Sequence, residues 1–251
     1  MATDAEPDTV LAAAIAAEHR SDAYKLRDKY RHPLETLTFF ELKPDMTVAE
    51  LWPGGGWYME IMAPYLHHQG TYYAVGYHES AKAPFVQRSI KGLNAKIAGR
   101  PDLYGRVKVT ALSPSHLEIA PPGSVDLVLT FRSIHNWMES GFAYQVFEAA
   151  YAALKSGGVF GVVEHRGDPE VWQDPLAKSG YVNEEEVIMM AETAGFTLAA
   201  TSEINANTKD TKDHPSGVWT LPPSLRGSDE ALQKYLSIGE SDRMTLKFVK
   251  P

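Results

Sequence analysis

The feature that most restricts the fold is an alternation running from about Met46 to about Ile204. Short apolar runs take turns with longer segments of helical spacing. "KPDMTVAELW" supplies a turn and then a strand, and "WYMEIMAPYL" supplies a helix whose Tyr58, Ile61, Met62 and Tyr65 share one face. "GTYYAVGYH" follows as a strand, the stretch from Ala81 to about Ala98 as a helix, and "VKVTALS" as a strand. The rhythm continues through "VDLVLTFR", "GFAYQVFEAAYAAL", "GGVFGVVEH", "NEEEVIMMAETAG" and "FTLAATSEI". Strands that are apolar almost throughout are buried on both faces, so the pattern predicts a mostly parallel sheet with helices on either side.

Two flanking regions break the rhythm. Residues 1–45 read as helical, interrupted at Pro33 before "LETLTFFELK", and are expected to form a lid ahead of the core at 46–204. Residues 205–241 are polar and proline-bearing, a connection too long to be idle, and are expected to cap a site before the closing strand at 242–251. No repeat or linker divides the chain, and 251 residues with 44% hydrophobic content suit one large α/β domain.

A formal charge of −8 argues against nucleic acid or an anionic membrane as partner and favours a small molecule. The chain has no cysteine, which removes thiolate nucleophiles, disulfides and Cys-ligated zinc. The Ala-rich run near the N-terminus is short, has no basic region ahead of it and closes with Glu18, His19 and Arg20. It reads as a soluble helix, giving a cytoplasmic expectation for the chain as given, or a periplasmic one if an export signal has been removed. Oligomeric state is left open, a homodimer included.

Within "VAELWPGGGWYMEI" three glycines stand between the first strand and the first helix. In an open parallel sheet this turn brings its backbone closest to ligand. Gly54, Gly55 and Gly56 tolerate positive φ and remove the Cβ atoms that would hold a ligand away, and the helix start offers unpaired N–H groups. Glu50 at the strand end can accept hydrogen bonds from an amine or hydroxyl.

These residues resemble the first motif of the class I S-adenosylmethionine-dependent methyltransferases. "VDLVLTFRSIHNWM" resembles their fourth-strand motif, and "YAALKSGGVFGVVEH" their helix-turn-strand segment. The broad likeness covers about Met46 to Phe196. A narrower one, covering nearly the whole chain, is to a group of bacterial predicted methyltransferases sharing "ELWPGGGWY", "HNW" and "GESDRMTLKFVKP". The resemblance implies a Rossmann-like, seven-stranded sheet whose last strand runs antiparallel beside strand five. It also implies S-adenosylmethionine as cofactor, held by Glu50, Trp52, Pro53, Gly54, Gly55, Gly56, Tyr77 and Arg132. Two positions depart from the motif: Trp52 stands where a glycine is usual, and strand two ends in Tyr77 and His78, with Glu79 one step late for the usual ribose-binding acid.

"FRSIHNWM" follows strand four, placing Arg132, His135, Asn136 and Trp137 at the ligand-facing edge. A histidine there can take a proton as a methyl group moves, and Arg132 can grip a carboxylate or phosphate. A helix-start histidine bonded to backbone is the structural alternative. Glu164, His165 and Arg166 end strand five; Glu164 pairs as an acid-base partner with a histidine, or structurally with Arg166. His135, Glu164 and His165 are thus the catalytic candidates, while Asn136, Trp137, Trp57 and Trp219, with Tyr181 nearby, are candidates for lining a substrate pocket. His135, Glu164, His165 and His214 are of metal-ligand type, but no HxxxH or HExxH spacing joins them, so no metal is expected. The reading is methyl transfer to a small molecule. The alternatives are a lyase, isomerase or hydrolase step run by the same His and Glu residues on this fold, and non-catalytic binding of a small ligand.

Overall fold

The computed structural model describes residues 9–227 and 231–251; residues 1–8 of the expected lid and 228–230 of the expected capping connection lie outside the described residues. The N-terminal segment is not one long helix. It breaks into α1 (Thr9–Ala16), α2 (Asp22–Lys25) and α3 (Asp28–Arg31), followed by α4 (Pro33–Phe39). The first break is made by Arg20, fully buried, which donates to the Ile15 carbonyl at 2.7 Å and grips both oxygens of Asp28 at 2.7 and 2.8 Å. The last, between α3 and α4, is His32, in the left-handed conformation at φ 41°, with Pro33 opening α4.

The core then reads β1 (Thr47–Leu51), α5 (Met59–Leu66), β2 (Thr71–Tyr77), α6 (Pro84–Gly99), α7 (Pro101–Tyr104), β3 (Lys108–Leu112), β4 (Val125–Phe131), α8 (Ile134–Glu139), α9 (Ala143–Ala153), β5 (Leu154–His165), α10 (Glu184–Thr193) and β6 (Thr197–Ser202). The 3-10 turn Gly217–Thr220 and α11 (Leu232–Ile238) punctuate the connection to β7 (Arg243–Val249). One seven-stranded sheet has the order β3-β2-β1-β4-β5-β7-β6, with β7 antiparallel to both of its neighbours. The expected Rossmann-like sheet, with its antiparallel last strand beside strand five, is present.

Alternation along the strands feeds two apolar layers. Ala49, Leu51, Val128 and Phe160 point into one with Trp137, Phe147 and Phe248; Val48, Leu127, Leu129 and Val159 point into the other with Leu37, Phe40, Met59 and Ile61. Phe40, just beyond α4, lies so close to β5 that a Cβ at Gly161 would meet its ring at 2.7 Å and Leu129 at 2.6 Å. That contact seats the N-terminal segment against the sheet. β1 and β4 are neighbours whose chains leave in opposite directions, so the sheet's switch point, and the crevice it opens, lies between the ends of these two strands.

Candidate active site

The residues that leave β1 and β4 are both non-glycine and both left-handed: Trp52 at φ 49° and Arg132 at φ 62°. Each donates its N–H across to the adjacent strand, Trp52 to Val75 O at 2.8 Å and Arg132 to Val163 O at 2.7 Å. Such conformations cost on the order of 1–3 kcal/mol each and mark places where side-chain direction matters. Here both side chains are turned into the wall of a crevice of about 360 Å³.

Its floor is rich in arginine. Arg27, the residue before α3, and Arg31, the last in it, approach with Arg132 from the end of β4. Glu240, just ahead of β7, takes Arg27 Nε at 2.6 Å, Arg31 Nε at 3.4 Å and Arg243 Nη1 at 3.3 Å. Burial alone would raise the Glu240 pKa, but the guanidiniums of Arg243, Arg31 and Arg132 and the Arg27 hydrogen bond outweigh it and hold it at about 2. Burial pulls Arg132 down to about 10, with Glu240 opposing and Arg243 and Arg27 adding to the fall. Arg31 is lowered well below its ordinary value, again mainly by burial. Glu50, also in the crevice lining, is buried and hydrogen-bonded by the Tyr72 hydroxyl; burial raises its pKa to about 7 against the pull of Arg31 and Arg132.

At the far side His135, on α8, directs Nδ1 to Glu164 Oε1 at 3.1 Å, and Asn136 Nδ2 lies 2.9 Å from its Nε2. This network assigns the proton to Nδ1 and leaves Nε2 an acceptor. Glu164 is fully buried and is held further by the main-chain N–H of Ile134 on Oε2 at 2.6 Å and of His165 on Oε1 at 2.8 Å. A carboxylate so fixed orients the imidazole, the geometry of an acid-histidine pair. His165 shares a 2.5 Å hydrogen bond with Ser241. Burial, then the neighbouring His135 and the arginines, keep its pKa well below the usual histidine range, so it is neutral at neutral pH. The edge of Trp219 closes over His135 at 5.8 Å between ring centres.

The ligand-type atoms of His135, Glu164 and His165 lie within 4.8 Å of one another, a proximity that no sequence spacing indicated. Hydrogen bonds account for both Glu164 oxygens and both His135 nitrogens. His214 is elsewhere, buried against Asp210 at 2.8 Å.

Of the sequence candidates, Glu50, Trp52, Pro53, Gly54, Gly55, Trp57, Tyr77, Arg132, His135, Asn136, His165 and Trp219 line the crevice, and Glu164 stands directly behind His135. Gly56 does not line it; its role is the turn itself, at φ 76°. Trp137 is a correction: it is wholly buried beneath Trp52, 5.8 Å between ring centres, and is core, not pocket wall. Trp57 serves less as a ligand face than as a platform, with the Arg31 guanidinium 4.7 Å from its ring centre. Tyr181 is spent on Asp210. Arg166 turns to Glu203 and Asp242, so no Glu164–Arg166 pair forms. Sequence reasoning missed Arg27, Arg31, Glu240 and Ser241. The signals were present as two arginines four residues apart in the N-terminal segment and a charged "GESDR" abutting the last strand.

A second cavity, of about 270 Å³, opens on the α6 side of β2 and β3. It shares Trp52, Pro53, Gly54 and Tyr77 with the crevice and adds Glu79, Asn94, Leu93 and Val109. The Trp52 indole forms the partition, tilted against the Tyr77 ring at 4.3 Å between centres and directing Nε1 to the Leu112 carbonyl at 3.4 Å.

No protein-family model and no curated protein matches the chain. Solved structures do match. A S-adenosylmethionine-dependent methyltransferase from Aquifex aeolicus aligns with a TM-score of 0.55 and 17% identity over 80% of this chain and 94% of its own. The [4+2]-cyclase SpnF gives 0.57 and 17% over 98% and 93%. An arsenic(III) S-adenosylmethionine methyltransferase from Chlamydomonas reinhardtii gives 0.54 and 16% over 98% and 75%. At such identities the likeness concerns architecture: this chain folds as the class I S-adenosylmethionine-dependent methyltransferases do.

Proposed function

We propose that the chain transfers a methyl group from S-adenosylmethionine to a small molecule bound in the crevice, with His135 as general base. The observation that carries this reading is the Glu164–His135 pair, held behind the switch-point crevice with Nε2 as its acceptor. The residues present fit the cofactor at both ends. A Cβ at Gly54 would find nothing within 4 Å, so ligand can approach the main chain there. Glu50, in the crevice lining, offers an acceptor to the cofactor's amino group. The second cavity, walled by Trp52, Tyr77 and Val109 and bearing Glu79 and Asn94, suits a nucleoside. The bound cofactor would supply an electrophilic methyl group.

The chain's own part is to bind, orient and deprotonate. The crevice and its Trp219 cover restrict the acceptor's motion, and orientation of this kind is worth several orders of magnitude in rate. With the Asn136 amide moved off Nε2, His135 Nε2 takes the acceptor's proton, and Glu164 stabilises the resulting imidazolium. His135→Gln is expected to leave cofactor binding within about twofold and to lower kcat by roughly 10²–10⁴. Equal loss of binding and rate in that variant would remove His135 from the role of base.

Trp52 and Tyr77 favour a second reading. They occupy the strand ends where a small residue and a ribose-binding acid would serve the cofactor, so the same His135–Glu164 pair could run a lyase, isomerase or hydrolase step. Turnover that persists in chain stripped of S-adenosylmethionine selects it.

A further inference from the structure

The arginine cluster exceeds what the fold needs. Arg27, Arg31, Arg132 and Arg243 converge on one carboxylate, Glu240. Arg27 Nη2 and Arg31 Nη2 are buried atoms without a hydrogen-bond partner among the described residues, and the whole Arg31 side chain is only 2% exposed. Arg132 forms no ion pair or side-chain hydrogen bond among the described residues, although it sits in the wall of the crevice on a left-handed backbone. Buried guanidinium groups without partners are costly. Their planar fork matches a tetrahedral or planar oxyanion, which satisfies two donors at once. The other crevice acid, Glu50, is hydrogen-bonded by Tyr72 and stays largely uncharged below about pH 7 because of its burial.

We infer that the crevice is built to receive a dianionic oxyanion group, a phosphate monoester or a paired carboxylate on the substrate, between Arg27, Arg31 and Arg132. With Glu240 neutralising one of the converging guanidiniums, a single carboxylate would still leave the surplus mostly unopposed, whereas a dianion removes most of it. The site described above thereby gains a substrate class, and the inference rests on the crevice being the place where substrate binds. One consequence reaches the cofactor. An uncompensated arginine field repels a sulfonium and an ammonium, and a bound dianion relieves that repulsion, so the two ligands favour each other's binding.

The test is calorimetric titration of the full chain with inorganic phosphate, malonate and acetate, repeated on Arg132→Gln and Arg27→Gln, each variant first checked for an unchanged unfolding temperature. The expected result is phosphate or malonate binding at least about tenfold tighter than acetate, and weakened about tenfold or more in a variant that stays folded. Phosphate ahead of malonate assigns a phosphate monoester, and the reverse assigns a dicarboxylate. Absence of binding by both dianions at about 10 mM, or binding indifferent to both substitutions, overturns the inference. A parallel titration with S-adenosylhomocysteine separates this claim from the functional one. Dianion binding without cofactor binding leaves the anion site standing and removes methyl transfer; cofactor binding without dianion binding does the opposite.

Discussion

Glu50 is the residue whose chemistry is most exposed to experiment. Burial lifts its pKa from 4.5 to about 7, so the folded chain keeps a proton that the unfolded chain has lost. Stability from this group therefore falls as pH rises from about 4.5 to about 7 and stays low above that, a loss on the order of 3 kcal/mol. Glu50→Gln should unfold at a higher temperature than the parent at pH 8 and lose that advantage near pH 4.5. A variant less stable than the parent at both pH values would mean that the carboxyl is needed ionised. The glycine turn, Trp52 and His135 were legible in the sequence because local signals mark them: glycines at a strand end, a break in a motif, a polar run after a strand. Arg27, Arg31 and Glu240 were not, since their meaning depends on contacts spanning more than two hundred residues of chain.

At the scale of elements, hydrophobic periodicity carried the reading. The strands and the four long core helices follow from it because most of them bury an apolar face; β3 and β6, at the sheet edges, do so least. The N-terminal segment divides into short helices where Arg20 grips Asp28 and where His32 turns left-handed, features that periodicity does not register. The short α8 escaped for a similar reason, its start being fixed by the Glu164 carboxylate on the Ile134 N–H. The seat of α4 on the sheet can be tested at Gly161. A Cβ there falls within 2.7 Å of Phe40 and 2.6 Å of Leu129, so Gly161→Ala should destabilise the chain by roughly 1–3 kcal/mol in urea. An unchanged midpoint would show that this contact yields freely.

Across the whole molecule, Glu240 joins the two ends of the chain. It binds Arg27 and Arg31 from the N-terminal segment and Arg243 from the last strand, and its pKa is depressed from 4.5 to about 2. A depressed carboxylate contributes stability that is fully present above about pH 4.5 and is lost as pH falls through about 2. Glu240→Gln leaves the guanidiniums without their counter-charge and should cost about 3–5 kcal/mol at pH 7, as removal of one partner from a buried pair does, with the gap to the parent narrowing in acid. A gap that is constant with pH would place its origin in packing.

The crevice at the ends of β1 and β4 is lined both by the N-terminal segment, through Tyr24, Arg27 and Arg31, and by Trp219. The most direct measurement is calorimetric titration of the stripped chain with S-adenosylmethionine in phosphate-containing buffer. Binding in the micromolar range is the expected result. No heat at millimolar cofactor would contradict methyl transfer and leave His135 and Glu164 to a reaction of another kind.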